Sequence, residues 1–298
     1  MQSKSILVIG LGSMGFGMAG SLLRAGHKVY GADIDAQKVR DLGAKGGLSV
    51  EDLGDARVDI LVSVVLNAAQ TETVLFGAPD YAARLAEGGV ILSCATVPPA
   101  FACDMEAKAQ AKGLLYLDAP ISGGAIKAAA GQLSIMASGS EAAFEAAAPA
   151  LEAMAETVHR LGDAAGPGSA MKATNQLLAG VHIAAMGEAL AFGLTQGLTV
   201  DRIIEVISQS AGTSWMFENR APHVRDADYT PRSAINIWPK DLGIVSEIAD
   251  SADLDVPITA AALELYRRAA EAGLGLQDDA AITKIYAAQA GLKLPGDA

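Results

Sequence analysis

Short apolar runs and helical stripes take turns through the first half of the chain, and the alternation stops near residue 163. Ile6-Leu7-Val8-Ile9 is a continuous apolar run of strand length, as expected of a strand buried on both faces. A helical stretch from Gly15 to Ala25 follows, then a strand from Lys28 to Ala32 and a helix from Ala36 to Leu42. Further strands are predicted at Ile60 to Leu66, Val90 to Cys94, Leu114 to Leu117 and Gln132 to Ala137, with a helix from Glu141 to Ala155. Such alternation specifies an α/β fold, a doubly wound, mainly parallel sheet with helices on both faces. Gly162-Asp163-Ala164-Ala165-Gly166-Pro167-Gly168 then breaks the pattern, and Ser169 to about Gln196 reads as one long apolar helix. Helices at Val200 to Ser210, Pro239 to Asp250, Pro257 to Ala272 and Asp279 to Leu292 complete the chain. The boundary falls at residue 163, so residues 1–163 form the α/β domain and residues 164–298 an all-helical domain entered by a long interdomain helix.

The first strand runs directly into Gly10-Leu11-Gly12-Ser13-Met14-Gly15. A strand, a G-x-G-x-x-G turn and a helix in that order form the dinucleotide-binding fingerprint of a Rossmann-type domain, with the helix N-terminus facing a pyrophosphate. The second strand ends at Asp33, eighteen residues after Gly15. A carboxylate there accepts hydrogen bonds from the adenosine ribose and repels a 2′-phosphate, which selects NAD over NADP.

Charge narrows the partners. There are 22 basic and 34 acidic residues, a net charge of −12, which argues against nucleic acid and against an anionic membrane. Four scattered histidines show no metal-ligand spacing, so no metal is expected. Two cysteines, Cys94 and Cys103, read as reduced thiols of a cytoplasmic protein. The first strand starts within five residues of Met1, leaving no room for a signal peptide, and Glu188 interrupts the longest apolar helix.

Three further segments carry chemistry. Asp118-Ala119-Pro120-Ile121-Ser122-Gly123-Gly124 follows a strand, where an open sheet presents its ligands, and Ser122, Gly123 and Gly124 suit a small carboxylate. The same residues also read as an ordinary Ser-Gly-Gly turn. Lys172 lies in the first turn of the long helix, with Asn175 and Gln176 at i+3 and i+4 on its face. It either reaches solvent or performs chemistry. Lys240-Asp241 follows Trp238-Pro239 and also reads as a surface ion pair.

In order and spacing, these motifs resemble the 3-hydroxyacid dehydrogenase family, which includes 3-hydroxyisobutyrate dehydrogenase and tartronate semialdehyde reductase. The resemblance extends over the whole chain. It is carried by the fingerprint with Met18-Ala19, by Asp118 to Gly124 with Gly131-Gln132-Leu133, by the Gly-x-Gly-x-x-x-Lys helix start and by Lys240-Asp241-Leu242. The run from Asp118 to Leu133 and Val65-Leu66-Asn67-Ala68 fit the L-threonate branch of the family. The resemblance implies that Lys172 is the catalytic acid/base and that Ser122, Gly123 and Gly124 hold the substrate carboxylate. It also implies NAD contacts from Leu66 and Asn67, from Thr96 and from Lys240, and a homodimer or homotetramer. Leu66 stands where many members have Pro, and Gln176 where many have the second Asn of a pair.

The expected reaction is NAD-dependent oxidation of a small hydroxy or sugar acid. Lys172 takes the hydroxyl proton, so oxidation is expected to speed up as the pH rises. Imine reduction on the same scaffold is the nearest other chemistry, and those relatives commonly lack the lysine. A non-catalytic interaction module has no need of Asp33, Ser122, Lys172 and Asn175 together. Lys127, Trp215, Phe217 and His223 are further candidates for substrate contact, and each also reads as packing or surface.

Overall fold

The computed structural model describes residues 3–297. The first strands and helices are β1 (Ser5–Ile9), α1 (Ser13–Arg24), β2 (Lys28–Ala32), α2 (Ala36–Gly43), β3 (Leu48–Ser49), β4 (Val58–Ser63) and α3 (Ala68–Phe76). They are followed by β5 (Leu85–Ser93), α4 (Pro99–Ala111) and β6 (Leu115–Asp118). Six strands pair in parallel in the order β3-β2-β1-β4-β5-β6. The order reverses between β1 and β4, the switch point beyond whose carboxyl ends an open sheet binds its ligands. Successive residues of β1 enter opposite cores, Ile6 and Val8 beneath one helical layer and Leu7 and Ile9 beneath the other. That two-sided burial explains the unbroken apolar run.

A second, smaller sheet follows. It contains β7 (Ile121–Ser122), β8 (Leu133–Ala137) and β9 (Ala155–Arg160), with α5 (Gly124–Ala130) and α6 (Glu141–Met154) between them. The apolar pattern places the strand at 132–137 in the main sheet; it pairs instead antiparallel to β7 and parallel to β9. A backbone bridge between Asp118 and Ser138 turns the chain out of the large sheet.

Several element limits differ from the pattern. The strand predicted through Leu66 ends at Ser63, because β1 ends at its partner Ile9 and supplies no further ladder. The helices α3 and α4 and the strand β9 carry no clear apolar periodicity that predicts them: α4 spreads five alanines among charged and polar residues, and β9 is mostly exposed.

Two compact units divide the chain, one ending at Lys172 and the other beginning at Ala173. The division falls inside α7 (Pro167–Thr195). The second unit is helical, with α8 (Val200–Ile207), α9 (Trp215–Arg225), α10 (Ile237–Ser251), α11 (Pro257–Ala269) and α12 (Thr283–Ala290). Pro222 and polar neighbours hid α9 from the pattern. The core of this unit includes Ile183, Met186, Leu190, Phe217, Trp238 and Tyr266. By length and composition α7 could cross a membrane despite Glu188, but half of its apolar stretch is buried within the protein.

Candidate active site

The turn between β1 and α1 is shaped by its glycines. Gly10 adopts φ +86°, and a Cβ on Gly15 would lie 1.9 Å from the Gly10 carbonyl oxygen, so strand and helix meet too closely for any side chain. Gly12 differs. Its φ of −67° suits any residue, and a Cβ there would meet nothing within 4 Å. Among the described residues no neighbour accounts for this glycine, whereas a ligand approaching the backbone does. Gly12 also provides no side-chain cap for the twelve-residue α1. The first amides of the helix therefore lack the acceptor that a capping side chain would provide, as anion binding requires.

Asp33 closes the other side of this turn. Its Oδ2 accepts from the Leu11 amide at 2.6 Å and its Oδ1 from the Asp35 amide at 2.8 Å. Lys38 Nζ lies 3.9 Å from Oδ1. The glycine turn and the end of β2 are thus joined through one carboxylate, which retains further lone pairs for a ribose hydroxyl. Beyond β4, Leu66 is exposed and Asn67 caps α3 by accepting from the Gln70 amide at 2.9 Å. Thr96, in the loop after β5, is half-buried.

The start of α7 is fixed by Asp118, at the end of β6. Its Oδ2 accepts from the Ser169 amide at 2.8 Å and the Gly166 amide at 3.1 Å, and its Oδ1 from the Ser169 hydroxyl at 2.7 Å. Burial pushes the Asp118 carboxyl above its ordinary range, and these hydrogen bonds oppose the shift only in part. A Cβ on Gly168 would lie 2.5 Å from the Met136 carbonyl oxygen, so the first turn of the helix is pressed against the sheet.

One turn onward, Lys172 is buried at 8% exposure and donates to the Ile121 carbonyl at 2.9 Å. The solvated reading of this lysine is therefore overturned. Ile121 immediately precedes Ser122, Gly123 and Gly124, and the two glycines take φ +136° and +75°. The backbone at this turn is open to glycine and strained for other residues. Gly124 has open space where a Cβ would stand. The structure thus brings the lysine to the Ser-Gly-Gly turn. The helix begins at Pro167, two residues before the predicted start, which places Lys172 in its second turn.

In the helical unit, Gln176 and Asp241 meet. Gln176 Nε2 donates to Asp241 Oδ2 at 2.5 Å, and Asn175 Nδ2 donates to Gln176 Oε1 at 3.0 Å. Lys240 Nζ lies 2.6 Å from Asp241 Oδ1, with side-chain exposures of 24% and 3%. Lys240-Asp241 is consequently no surface pair. The end of α10 bearing these residues is anchored by Trp238, whose indole N–H donates to Asp279 Oδ2 at 3.1 Å and whose ring stacks on Tyr266 at 5.5 Å. Asp279 also accepts from Arg220 Nε at 2.6 Å.

The remaining candidates separate. Phe217 belongs to the helical core, and His223 Nδ1 is 2.8 Å from the buried Asp278 Oδ1, so both are structural. Lys127 is ion-paired with Glu156 at 3.3 Å, while Trp215 remains 61% exposed. Among the described residues no group of three His, Cys, Asp or Glu side chains is placed to hold a metal.

Comparison with known proteins accords with this arrangement. Residues 5–162 match the family described as the NAD binding domain of 6-phosphogluconate dehydrogenase. Residues 166–286 match that described as NAD-binding of NADP-dependent 3-hydroxyisobutyrate dehydrogenase. An L-threonate dehydrogenase of Cupriavidus necator is 48% identical over 300 residues, covering 100% of both chains. The chain belongs to the 3-hydroxyacid dehydrogenase family. Another relative of this 3-hydroxyacid dehydrogenase, the L-threonate dehydrogenase of Pectobacterium atrosepticum, is 44% identical over 285 residues, 95% of this chain and 94% of that one. A crystal structure described as 3-hydroxyisobutyrate dehydrogenase from Salmonella typhimurium is 44% identical, with a TM-score of 0.89 over 95% of this chain and 100% of that one. Family membership makes the protein a dehydrogenase using a nicotinamide cofactor, and the uncrowded Gly12 and uncapped α1 fit such a group.

Two residues of this 3-hydroxyacid dehydrogenase have parts in the site that their sequence context did not disclose. Asp118 is legible as a strand end, but its grip on Ser169 spans 51 residues of chain. Asp241 is legible as half of a charged dipeptide; its burial against Gln176 depends on how α7 and α10 pack.

Proposed function

We propose that this dehydrogenase oxidises L-threonate with NAD, using Lys172 as general base in oxidation and general acid in the reverse direction. The observation that carries the reading is the buried Lys172, bonded to Ile121 O beside the Ser122-Gly123-Gly124 turn. The turn would bind the substrate carboxylate through the Ser122 hydroxyl and nearby backbone amides. Asn175 and Gln176, one helical turn beyond Lys172, would bind the remaining hydroxyls.

Bound NAD would supply the hydride acceptor. As the carbinol C–H bond breaks, the O–H proton passes to neutral Lys172, and the hydroxy acid becomes an oxo acid. In reduction, the Lys172 ammonium returns that proton and stabilises the developing negative charge on oxygen. Gly10, Leu11, Gly12, Ser13, Met14 and Gly15 would hold the pyrophosphate, and Asp33 the ribose. Residues 1–163 would therefore hold the cofactor and, at Ser122-Gly123-Gly124, the substrate carboxylate, while residues 164–298 would supply Lys172, Asn175, Gln176 and self-association.

Support for L-threonate comes from the two relatives so named. The 44% identical Salmonella structure described as 3-hydroxyisobutyrate dehydrogenase gives a second reading. NADH absorbance on purified protein decides between them, with L-threonate, D-threonate, 3-hydroxyisobutyrate and D-glycerate offered separately. The largest kcat/KM is expected for L-threonate; a preference for 3-hydroxyisobutyrate replaces this reading with the second.

A further inference from the structure

A carboxylate accepts hydrogen bonds and donates none, so a buried one dictates the orientation of any amide placed against it. Asp241 is 2% exposed, and one oxygen faces Gln176 while the other faces Lys240. The close packing of α7 and α10 sets up this contact. A Cβ on Gly180 would lie 2.9 Å from the side chains of Leu242 and Trp238, so the helices approach at a glycine, and Gln176 lies one turn before it. Tyr266, stacked on Trp238, donates to the Gly180 carbonyl at 2.9 Å and holds the same crossing.

The acceptor-only carboxylate orders a chain of amides. Gln176 must turn its Nε2 toward Asp241, which turns its Oε1 toward Asn175. Asn175 must then present its Nδ2 to Gln176, leaving Asn175 Oδ1 as an acceptor for a ligand hydroxyl. The orientation of both amides thus follows from the acceptor-only chemistry of Asp241. Lys240 Nζ lies 2.6 Å from the other carboxylate oxygen, an ion pair that opposes any turning of Asp241 away from Gln176.

We propose that Asp241 is a positioning residue that acts through Gln176 to fix the amide of Asn175 with its acceptor end toward the substrate. The proposal rests on the assignment of Asn175 and Gln176 to substrate binding. It predicts an unusual pattern of loss and rescue. In Asp241→Asn, Lys240 takes the new side chain's oxygen, its NH₂ faces Gln176, and both amides reverse. Gln176→Glu alone sets two carboxylates against each other. The double variant Asp241→Asn with Gln176→Glu restores the original order at Asn175. The carboxylate introduced on α7 accepts from the new amide on α10 through one oxygen and from Asn175 through the other.

The test combines kinetics with a spectroscopic readout. Each single variant is expected to lose roughly 10- to 100-fold in kcat/KM for L-threonate, and the double variant to recover at least about tenfold of kcat over the worse single variant. In protein labelled with ¹⁵N-glutamine, the two Nε2 protons of Gln176 should be widely separated in wild type, one of them bonded to a carboxylate, and should lose that separation in Asp241→Asn. Wild-type kcat/KM in Asp241→Asn, absence of rescue in the double variant, or a solvent-like Gln176 amide in the wild type overturns the proposal. The wild-type spectrum alone suffices if a variant does not fold. Wild type inactive toward every acid offered sinks the functional reading instead, while the amide spectrum still judges Asp241.

Discussion

Asp118 and Ser169 are joined twice, once through the Ser169 amide at 2.8 Å and once through its hydroxyl at 2.7 Å. This pair fastens the helix bearing Lys172 to the end of β6. Replacing Asp118 with Ala leaves the buried donors at Gly166 and Ser169 without an acceptor, a loss of about 2–3 kcal/mol and roughly 5–10 °C in Tm. Because burial raises the folded-state pKa of Asp118, its contribution to stability is greatest below the ordinary carboxylate range and declines as the pH rises through the folded value. The stability gap between wild type and Asp118→Asn, measured by urea unfolding, should therefore be larger in acid than at neutral pH. A gap that widens toward neutrality would contradict this account.

Lys172 is expected to be required for proton transfer but dispensable for cofactor binding. Lys172→Ala should lower kcat by roughly 10²- to 10⁴-fold, with NADH affinity measured by fluorescence essentially unchanged. Lys172→Arg keeps the charge but cannot release a proton, so it should be nearly as inactive in oxidation. Near-normal turnover in the arginine variant would remove Lys172 from the proton path.

The two thiols should differ in reactivity. Burial, reinforced by the neighbouring Asp118 charge, pushes the Cys94 thiol up to about 12; the Cys103 thiol is also raised, by partial desolvation and nearby carboxylates, but it is exposed to reagents. Only the thiolate attacks alkylating reagents. One thiol per chain should react with iodoacetamide in the native protein and two in denaturant, with mass spectrometry locating the native adduct on Cys103. Rapid native labelling of Cys94 would mean that the core around β5 opens far more readily than its burial implies.

Much of the first unit was legible because its chemistry is local. The glycine turn lies between adjacent elements, and a run buried on both faces identifies β1 without any tertiary information. Lys172 was legible as a candidate through its neighbours Asn175 and Gln176 on one helical face, but its burial was not, because the partner Ile121 lies 51 residues away. Asp241 failed to stand out for the same reason. Adjacent opposite charges ordinarily form a solvated pair, and only the approach of α7 at Gly180 takes this carboxylate out of water. Helix α4 is illegible on other grounds: its five alanines, spread among charged and polar residues, show no apolar stripe from which a face can be read.

Cofactor choice should turn on Asp33. Its carboxylate is held by the Leu11 and Asp35 amides, so it cannot swing away to admit a 2′-phosphate. Like-charge contact at a binding surface costs several kcal/mol, and each 1.4 kcal/mol is tenfold in affinity. Wild type should therefore favour NAD over NADP by at least about 100-fold in kcat/KM. Asp33→Ser removes the repulsion and leaves Lys38, now 3.9 Å from the carboxylate, near the ribose to attract the phosphate. The variant should reduce the preference by roughly 10- to 100-fold, mainly by improving NADP, with some loss for NAD as the Leu11 amide gives up its acceptor. Wild-type protein that already prefers NADP would show that the ribose does not meet this carboxylate.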